Sequence, residues 1–227
     1  MKDLYTQIKA LIDETLKNEI ITEIITKDDL SLVTSIDLRL NEKIVQYYLS
    51  LNPHNPIIIA EESFGFNQED FNLKGRDFLV LDPIDGTENF GFLNNLFGIA
   101  LSGRVGDFNF DFLYTPFDNK VITSSSSIGK LDNKNNINLY STGSLPTLNY
   151  NNINTSSIRV LGSSSVMFSM LLQGKARSYT YHSHCKIWDC FTGLRIANRS
   201  NKFEITGINQ DWFDYPQFKT SWKVQRK

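Results

Sequence analysis

The sequence predicts a mixed α/β (α+β) fold from three observations. Apolar residues recur at helical spacing between residues 4 and 16, which indicates an amphipathic helix at the start of the chain. Two continuous apolar runs, 57–60 and 78–81, have the length of buried strands, and acidic residues follow each of them. The chain has 227 residues, of which 41% are hydrophobic and 12% aromatic, so it can bury a sizeable core.

The remaining elements of the first half follow in order along the chain. Segment 20–26 is β-branched and fits either a strand or a continuation of the first helix. Thr34, with the acidic Asp37 three residues later, predicts the N-cap of a second helix, and Asn52-Pro53 ends that helix. Strands are predicted at 57–60, 78–81, 97–105, 108–114 and 120–124.

The second half begins with a change of composition. Segment 125–157 is rich in Asn, Ser and Gly, which predicts loops and short edge strands that elaborate the surface. Gly174 ends the next predicted helix. The basic residues of the tail are expected on a solvated chain end; they are Lys219, Lys223, Arg226 and Lys227. The predicted elements are helices at 163–172 and 189–198 and strands at 176–181 and 203–206.

Charge and cysteine content exclude several classes of protein. The net charge of −2 argues against binding of nucleic acid or membrane surfaces through bulk positive charge. No apolar run approaches the ~20 residues of a spanning helix, and the first residues lack a signal-peptide pattern. Cys185 and Cys190 are the only cysteines, so no disulfide framework is expected and a cytoplasmic location is predicted.

The strongest motif is the segment LDPIDGTENF at 81–90. Asp82 leaves a buried strand, and Asp85 can point toward the same spot, with the Ile84 carbonyl as a further oxygen ligand. These groups repel one another unless a hard divalent cation lies between them. Gly86-Thr87 then opens a predicted helix whose first amides suit a phosphate. Taken alone, an acidic turn with Pro and Gly is usually only a surface β-turn.

The whole segment resembles the D-P-[IL]-D-G-T-x-N-F signature of the inositol monophosphatase superfamily of metal-dependent phosphatases. Other segments match the motifs of that superfamily in the same order. An acidic pair stands at 61–62, V-T-x-x-D at 33–37, G-S-S at 162–164 and a W-D motif at 188–193. Five matched elements in one order make coincidence improbable.

The resemblance implies a single domain, 1–227, with the layered α-β-α-β-α sandwich of the sugar phosphatases. Its two tightly packed halves would cover about 1–125 and 156–227, with the Asn/Ser-rich loop region between them. The resemblance also implies a homodimer, inhibition by lithium and a small phosphorylated metabolite as substrate, with no nucleic acid or membrane as partner.

The resemblance further implies two or three Mg²⁺ ions as the cofactor. The implied ligands are Glu61, Asp82, the Ile84 carbonyl, Asp85 and Asp189. These oxygen donors suit Mg²⁺ better than zinc. The ions would neutralise the phosphate and lower the pKa of a water held in line for attack on phosphorus. Glu61 and Thr87 would orient that water as catalytic residues, with Asp37 hydrogen-bonded to Thr87.

The motifs indicate the class of substrate, a small phosphate ester, but two different substrates of that class fit them. The implied contacts are Asp85, Gly86, Thr87, Ser163, Ser164, His182 and Asp189. His182 stands where inositol-type enzymes carry a Glu, and the T-x-N pattern at 87–89 still favours that type. Segments 27–34 and 186–189 resemble the bisphosphate-nucleotide branch, although Leu32 replaces its Pro. A small sugar or polyol phosphate is therefore the first expectation, and 3′-phosphoadenosine 5′-phosphate the alternative. A member that has lost catalysis and acts as a binding partner is a third.

Several of these residues also have a purely structural interpretation. Glu62 fits a solvated or structural carboxylate better than a ligand. Asp37 could only cap its own helix, and Asp189 could be only an N-cap. Trp188 fits core packing, and Phe191-Thr192 adds bulk that requires repacking. A zinc site from His182, His184, Cys185 and Cys190 is disfavoured by their spacing, since Cys190 should lie inside a helix.

Overall fold

Two five-stranded sheets form the framework of the protein in the computed structural model, which describes residues 2–18, 24–26, 32–51, 54–63, 71–93, 95–132, 136–142, 144, 157–217 and 220–227. The elements within these ranges are α1 (Lys2–Asn18), β1 (Ile24–Thr26), β2 (Leu32–Thr34), α2 (Ser35–Leu51), β3 (Ile57–Ala60), β4 (Phe78–Asp85), β5 (Gly98–Val105), β6 (Phe108–Thr115), β7 (Lys120–Thr123), β8 (Ile137–Tyr140), β9 (Ser157–Arg159), α3 (Ser164–Leu172), β10 (Ser178–Cys185), α4 (Ile187–Arg199), β11 (Phe203–Thr206) and β12 (Thr220–Arg226).

The first sheet has the strand order β3-β4-β5-β6-β7. β3 and β4 are parallel, and the other neighbours are antiparallel. The carboxyl ends of β3 and β4 therefore lie at the same edge of the sheet, where both predicted acidic segments follow. The pairing of β4 with β5 shifts between Asp82 and Asp85, where Pro83 cannot donate a ladder hydrogen bond.

The second sheet has the order β11-β12-β10-β8-β9. β10 is parallel to β8 and antiparallel to β12. β8 and β9 come from the Asn/Ser-rich region, and β8 lies inside the sheet, whereas only short edge strands were predicted there. The separate pair β1-β2 is antiparallel and leads directly into α2.

Helices and sheets alternate in layers. α1 and α2 cover one face of the first sheet, where Ile12 and Leu40 pack with Leu79 and Phe112. α3 and α4 cover the other face and separate it from the second sheet. Side chains along β4 alternate between the two cores, as expected for a strand buried on both faces. The predicted α/β fold class is confirmed, and the described residues form four of its layers, in the order helix, sheet, helix, sheet.

α4 is packed tightly between the two sheets. Phe191 is fully buried and contacts the rings of Phe78, Trp212 and Phe213. Thr192 lies 3.0 Å from Ser102 through the two side-chain oxygens. The predicted bulk on this helix is thus accommodated by an aromatic cluster.

The predicted basic tail is exposed at Lys223 and Lys227 and partly buried at Arg226, and Lys219 lies outside the described residues. The strand in this tail, however, was not predicted. The tail forms β12, which lies between β10 and β11 inside the second sheet. Trp222 and Val224 are buried, while Lys223 and Gln225 point outward. The period-two alternation buries only two side chains, and the basic residues around them obscure the strand.

Among the helices of the described ranges, none combines the length and apolar character required to cross a bilayer.

Candidate active site

A cavity of about 200 Å³ opens at the carboxyl ends of β3 and β4. Of the five carboxylates that line it, four come from the 3₁₀ turn after β3, from β4 and from the first turn of α4, and Glu88 follows β4. Every residue predicted as a metal ligand lies in its wall. The lining residues are Leu32, Glu61, Asp82, Ile84, Asp85, Gly86, Thr87, Glu88, Gly162 and Asp189.

Asp82 is a buried carboxylate that lies among other negative charges. Its side chain is buried, with 1% of its surface exposed, and its Oδ1 has no hydrogen-bond partner. Burial raises the pKa of Asp82 well above its usual value, and the negative charges of Glu61, Asp85 and Asp189 raise it further. An anion in this position requires either a proton or a cation.

Asp85 is held by the N-terminus of α3. Its Oδ1 accepts a hydrogen bond from Ser164 N at 3.1 Å, and its Oδ2 accepts from Ser163 Oγ at 3.2 Å and from Ser165 N. Such amides are a favourable environment for an anion. Burial nevertheless raises the pKa of Asp85, and the hydrogen bonds from these serines oppose that shift.

The turn after β4 can only be made by glycine. Gly86 has φ +96°, and a Cβ atom there would lie 2.9 Å from Ser163 Cβ. The close approach brings β4 against the start of α3. The predicted helix after Gly86 is a short helical segment, Thr87-Glu88 followed by the π-helix Asn89–Leu93. Asn89 fixes this segment because its side-chain amide donates to Leu96 O and Leu161 O, at 2.8 and 2.7 Å.

Asp37 joins the start of α2 to this turn. Its Oδ2 accepts from Thr34 N at 2.9 Å and from the Thr34 hydroxyl, which confirms the predicted cap at Thr34. Its Oδ1 lies 3.2 Å from Thr87 Oγ1, so it reaches beyond its own helix. Thr87 Oγ1 also lies 3.1 Å from Ile84 O, and its single proton can be donated to one acceptor at a time. Burial raises the pKa of Asp37 to about 6.

Asp189 is the third residue of α4, and Lys186 occupies the N-cap position. Asp189 is therefore not an N-cap. Burial raises its pKa well above the usual value, as do the charges of Asp85 and Glu61.

Two tyrosines of β10, which the sequence analysis did not identify, form hydrogen bonds with residues of the site. Tyr181 Oη donates to Asp189 Oδ2 at 3.4 Å, and Tyr179 Oη lies 2.9 Å from Ser164 Oγ. The two tyrosines stand two residues apart on a strand and therefore share one face of it, and this spacing is the pattern that could have predicted their role.

Some predicted substrate contacts lie elsewhere. Ser163 and Ser164 hold Asp85 and do not line the cavity. His182 is partly buried on β10, where its backbone amide donates to Ser144 Oγ, and it does not line the cavity either. Cys190 lies inside α4, as predicted, and its thiol donates to Lys186 O. Segment 27–31 and the side chain of His184 lie outside the described residues.

The donor set fits a hard divalent cation. Within the described ranges, no group of three His, Cys, Asp or Glu side chains has the spacing of a preformed metal site. However, the orphaned Asp82 Oδ1 lies among the carboxylates of Glu61, Asp85 and Asp189, whose negative charges all raise the pKa of Asp82. A hard divalent cation supplies a compensating positive charge and accepts these oxygen ligands.

Comparison with known proteins gives one curated relative and many similar structures. No protein-family model matches the chain. The 3′(2′),5′-bisphosphate nucleotidase CysQ of Buchnera aphidicola is 27% identical over 192 residues, covering 75% of this chain and 69% of the relative.

Two solved structures show the similarity of fold. The Thermotoga maritima IMPase has a TM-score of 0.74 and 19% identity, covering 99% of this chain and 92% of that one. An IMPase/NADP phosphatase complexed with Mg²⁺ and phosphate has a TM-score of 0.72 and 18% identity, covering 99% and 88%. These similarities confirm the resemblance that the motifs predict.

Proposed function

The chain has the fold of the inositol monophosphatase superfamily, and from that premise we propose that it is a Mg²⁺-dependent phosphomonoesterase acting on a small sugar or polyol phosphate. The observation that carries the proposal is the cavity at the ends of β3 and β4. There a buried Asp82 with an unpartnered oxygen is surrounded by the carboxylates of Glu61, Asp85 and Asp189.

The residues that would hold two or three Mg²⁺ ions are those predicted from the motifs. They are Glu61, Asp82, the Ile84 carbonyl, Asp85 and Asp189, all of which line the cavity. The chemistry that Mg²⁺ supplies when bound is neutralisation of phosphate charge and activation of water. A complex of Mg²⁺ and phosphate with a protein of the same fold supports this choice of ion.

The chain's own groups would position the attacking water and the phosphate. When Thr87 donates its hydroxyl hydrogen bond to Asp37, its lone pairs are free to accept a hydrogen bond from the attacking water. Glu61, on the same cavity wall, would accept a hydrogen bond from the other O–H of that water and take up that one proton as the water attacks. The amides of Gly86 and Thr87 would bind the phosphate. No covalent phosphoenzyme is required by this arrangement.

A bisphosphate nucleotide is the second candidate substrate. The relationship to a CysQ nucleotidase at 27% identity favours it, as does the K-I-W-D sequence at 186–189. His182 lies outside the cavity wall, so it contributes no observation in favour of either substrate. A non-catalytic member is disfavoured because every implied metal-binding side chain is retained.

The remaining parts of the proposal follow from the same resemblance. We infer a homodimer, inhibition by lithium and a cytoplasmic location. The free thiols of Cys185 and Cys190 agree with a reducing compartment.

A kinetic comparison tests the proposal. Phosphate release is measured with Mg²⁺ on inositol 1-phosphate, fructose 1,6-bisphosphate and 3′-phosphoadenosine 5′-phosphate. Wild-type protein is expected to hydrolyse at least one of them, and the preferred substrate decides between the two candidates. Asp85→Asn is expected to abolish release, whereas the matched variant Glu204→Gln, at an exposed acid on β11, should behave as wild type.

Two results would contradict the proposal. One is equal phosphate release by wild type and Asp85→Asn. The other is no release from any phosphate ester by correctly folded wild-type protein with Mg²⁺, and a stable macromolecular partner on pull-down would then favour the non-catalytic alternative.

A further inference from the structure

A second cavity, of about 290 Å³, lies at the opposite end of the first sheet from the acidic site. Three arginines line it: Arg104 of β5 and Arg195 and Arg199 of α4. We refer to it as the arginine cavity. Its other polar lining residues are Asn109, Asn198, Gln210 and Asp214. It is larger than the acidic cavity and has the opposite chemistry.

Two of the arginines are fixed in place by a buried carboxylate. Asp111, on β6, lies 3.0 Å from Arg195 Nε and 2.6 Å from Arg199 Nη1 through its two oxygens. The side chain of Arg195 is only 7% exposed, and its guanidinium lies 5.3 Å from the ring centres of both Phe78 and Phe191. These guanidinium groups are ordered before any ligand arrives, so little side-chain entropy remains to be lost on binding.

The charges leave the arginine cavity with an excess of positive charge. Asp111 carries one negative charge for the two guanidinium groups that it contacts. Asp214, on the cavity wall, adds a second negative charge, which acts on Arg195. Arg104 lies 3.6 Å from Asp107, but the Asp107 side chain is fully exposed, so water screens its charge. An anion in this cavity would therefore meet a net positive field, although Asp214 repels it on one side.

Hydrogen-bond donors remain for that anion. Arg195 uses Nε for Asp111 and Nη2 for Asn109, and Arg199 uses Nη1 for Asp111 and Ser124. A guanidinium has five N–H donors, and two such groups suit the several oxygens of a phosphate. Asn198 and Gln210 add side-chain amides, which hydrogen-bond each other at 3.3 Å. We propose that the arginine cavity binds the phosphate group of a small phosphorylated molecule.

This site is separate from the proposed catalytic site. β4 begins at Phe78 beside the arginine cavity and reaches the acidic cavity at Asp82, four residues later. At about 3.3 Å per residue, these two positions are roughly 13 Å apart. The proposal does not depend on the proposed hydrolysis, because phosphate binding to arginines requires no metal ion.

Calorimetric titration tests the proposal. Inorganic phosphate and glycerol 3-phosphate are each titrated into metal-free protein in EDTA. Gln210→Glu keeps the oxygen that accepts from Asn198 and adds a negative charge, so it should weaken binding about fivefold. Arg199→Gln should weaken it about tenfold. Gln225→Glu, on the exposed face of β12, and the active-site variant Asp82→Asn should bind as wild type.

The relative affinities of the two ligands distinguish an organic phosphate from phosphate alone as the ligand. Higher affinity for glycerol 3-phosphate than for inorganic phosphate supports an organic ligand, and equal affinity supports a site for the phosphate group alone. The proposal is overturned if neither ligand binds saturably in EDTA, if Asp82→Asn abolishes binding, or if Gln210→Glu binds as wild type. Circular dichroism and thermal unfolding show whether Arg199→Gln is folded, and Gln210→Glu decides the result if it is not.

Discussion

Two buried aspartates of the first sheet have opposite surroundings. Asp111, fully buried on β6, accepts from Arg195, Arg199, Ser102 Oγ and Ser124 Oγ. Asp82, equally buried on β4, has an oxygen without a partner, and its charged neighbours are other carboxylates. Both side chains point to the face covered by α3 and α4.

The difference separates a structural carboxylate from a functional one. A buried charge is tolerated only when it is paired and hydrogen-bonded. The protein supplies the pairing for Asp111 from its own side chains. For Asp82 it supplies only more negative charge, so the pairing must come from outside. Variants of the two residues should therefore behave in opposite ways.

The largest effect is expected on activity at Asp82. Asp82→Asn keeps the size of the side chain and removes the charge that binds metal, so kcat/KM with Mg²⁺ should fall about 10³-fold. In metal-free protein the free energy of unfolding should be unchanged or higher by about 1 kcal/mol, because repulsion by the neighbouring carboxylates is relieved. Phosphate release and chemical denaturation measure the two quantities.

Glu204→Gln, at an exposed acid, serves as the matched control. Strong destabilisation of metal-free Asp82→Asn would show that Asp82 is a structural residue like Asp111, and the comparison would fail.

Asp111→Asn should have the opposite profile. Removal of this carboxylate leaves Arg195 buried without its ion pair, and the free energy of unfolding should fall by about 3–5 kcal/mol. Urea denaturation at constant m-value measures the loss. Asp107→Asn, at a fully exposed carboxylate on the same β5-β6 hairpin, should leave the free energy of unfolding unchanged. Equal stability of the two variants would contradict the structural role of Asp111.

Mg²⁺ should distinguish the two aspartates directly. At 100 times its Kd, each bound ion should raise the free energy of unfolding of wild-type protein by about 2.7 kcal/mol. The same increase is expected in Asp111→Asn, from a lower starting value, and none in Asp82→Asn. Thermal unfolding with and without Mg²⁺ measures the three increments. An undiminished increment in Asp82→Asn would place the metal elsewhere.

The same contrast explains what the sequence allows one to predict. Asp82 and Asp85 lie in a short motif, and each of their partners stands at the end of a strand or the start of a helix. These positions could be recognised locally, and they converge in one cavity. The strand that carries Asp111 was also predicted, but the partners of Asp111, Arg195 and Arg199, lie more than 80 residues away in a helix with no motif of its own. Only the packing of α4 reveals that pairing.

The failures have the same origin. β12 was missed because its inward face is just Trp222 and Val224, and four basic residues around them indicate solvent exposure. β12 forms because it pairs with β10 and β11 on either side, although its own sequence pattern is weak. The role of Tyr181 was missed because no pattern in its own strand indicates a contact with Asp189. Contacts made across layers are absent from local sequence patterns.

The smallest effect concerns the support of Asp189. Tyr181 Oη donates to Asp189 Oδ2 over 3.4 Å, a long hydrogen bond. Loss of a group that hydrogen-bonds a metal ligand typically weakens metal binding 10–100-fold. Because this bond is long, we expect Tyr181→Phe to weaken Mg²⁺ binding only about tenfold. The Mg²⁺ concentration for half-maximal hydrolysis and calorimetric Mg²⁺ affinity should shift together. Tyr215→Phe, at an exposed tyrosine, should shift neither. A fall in kcat without any change in Mg²⁺ affinity would contradict this role, because it would mean that Tyr181 acts on the bound substrate and not through the metal ligand Asp189.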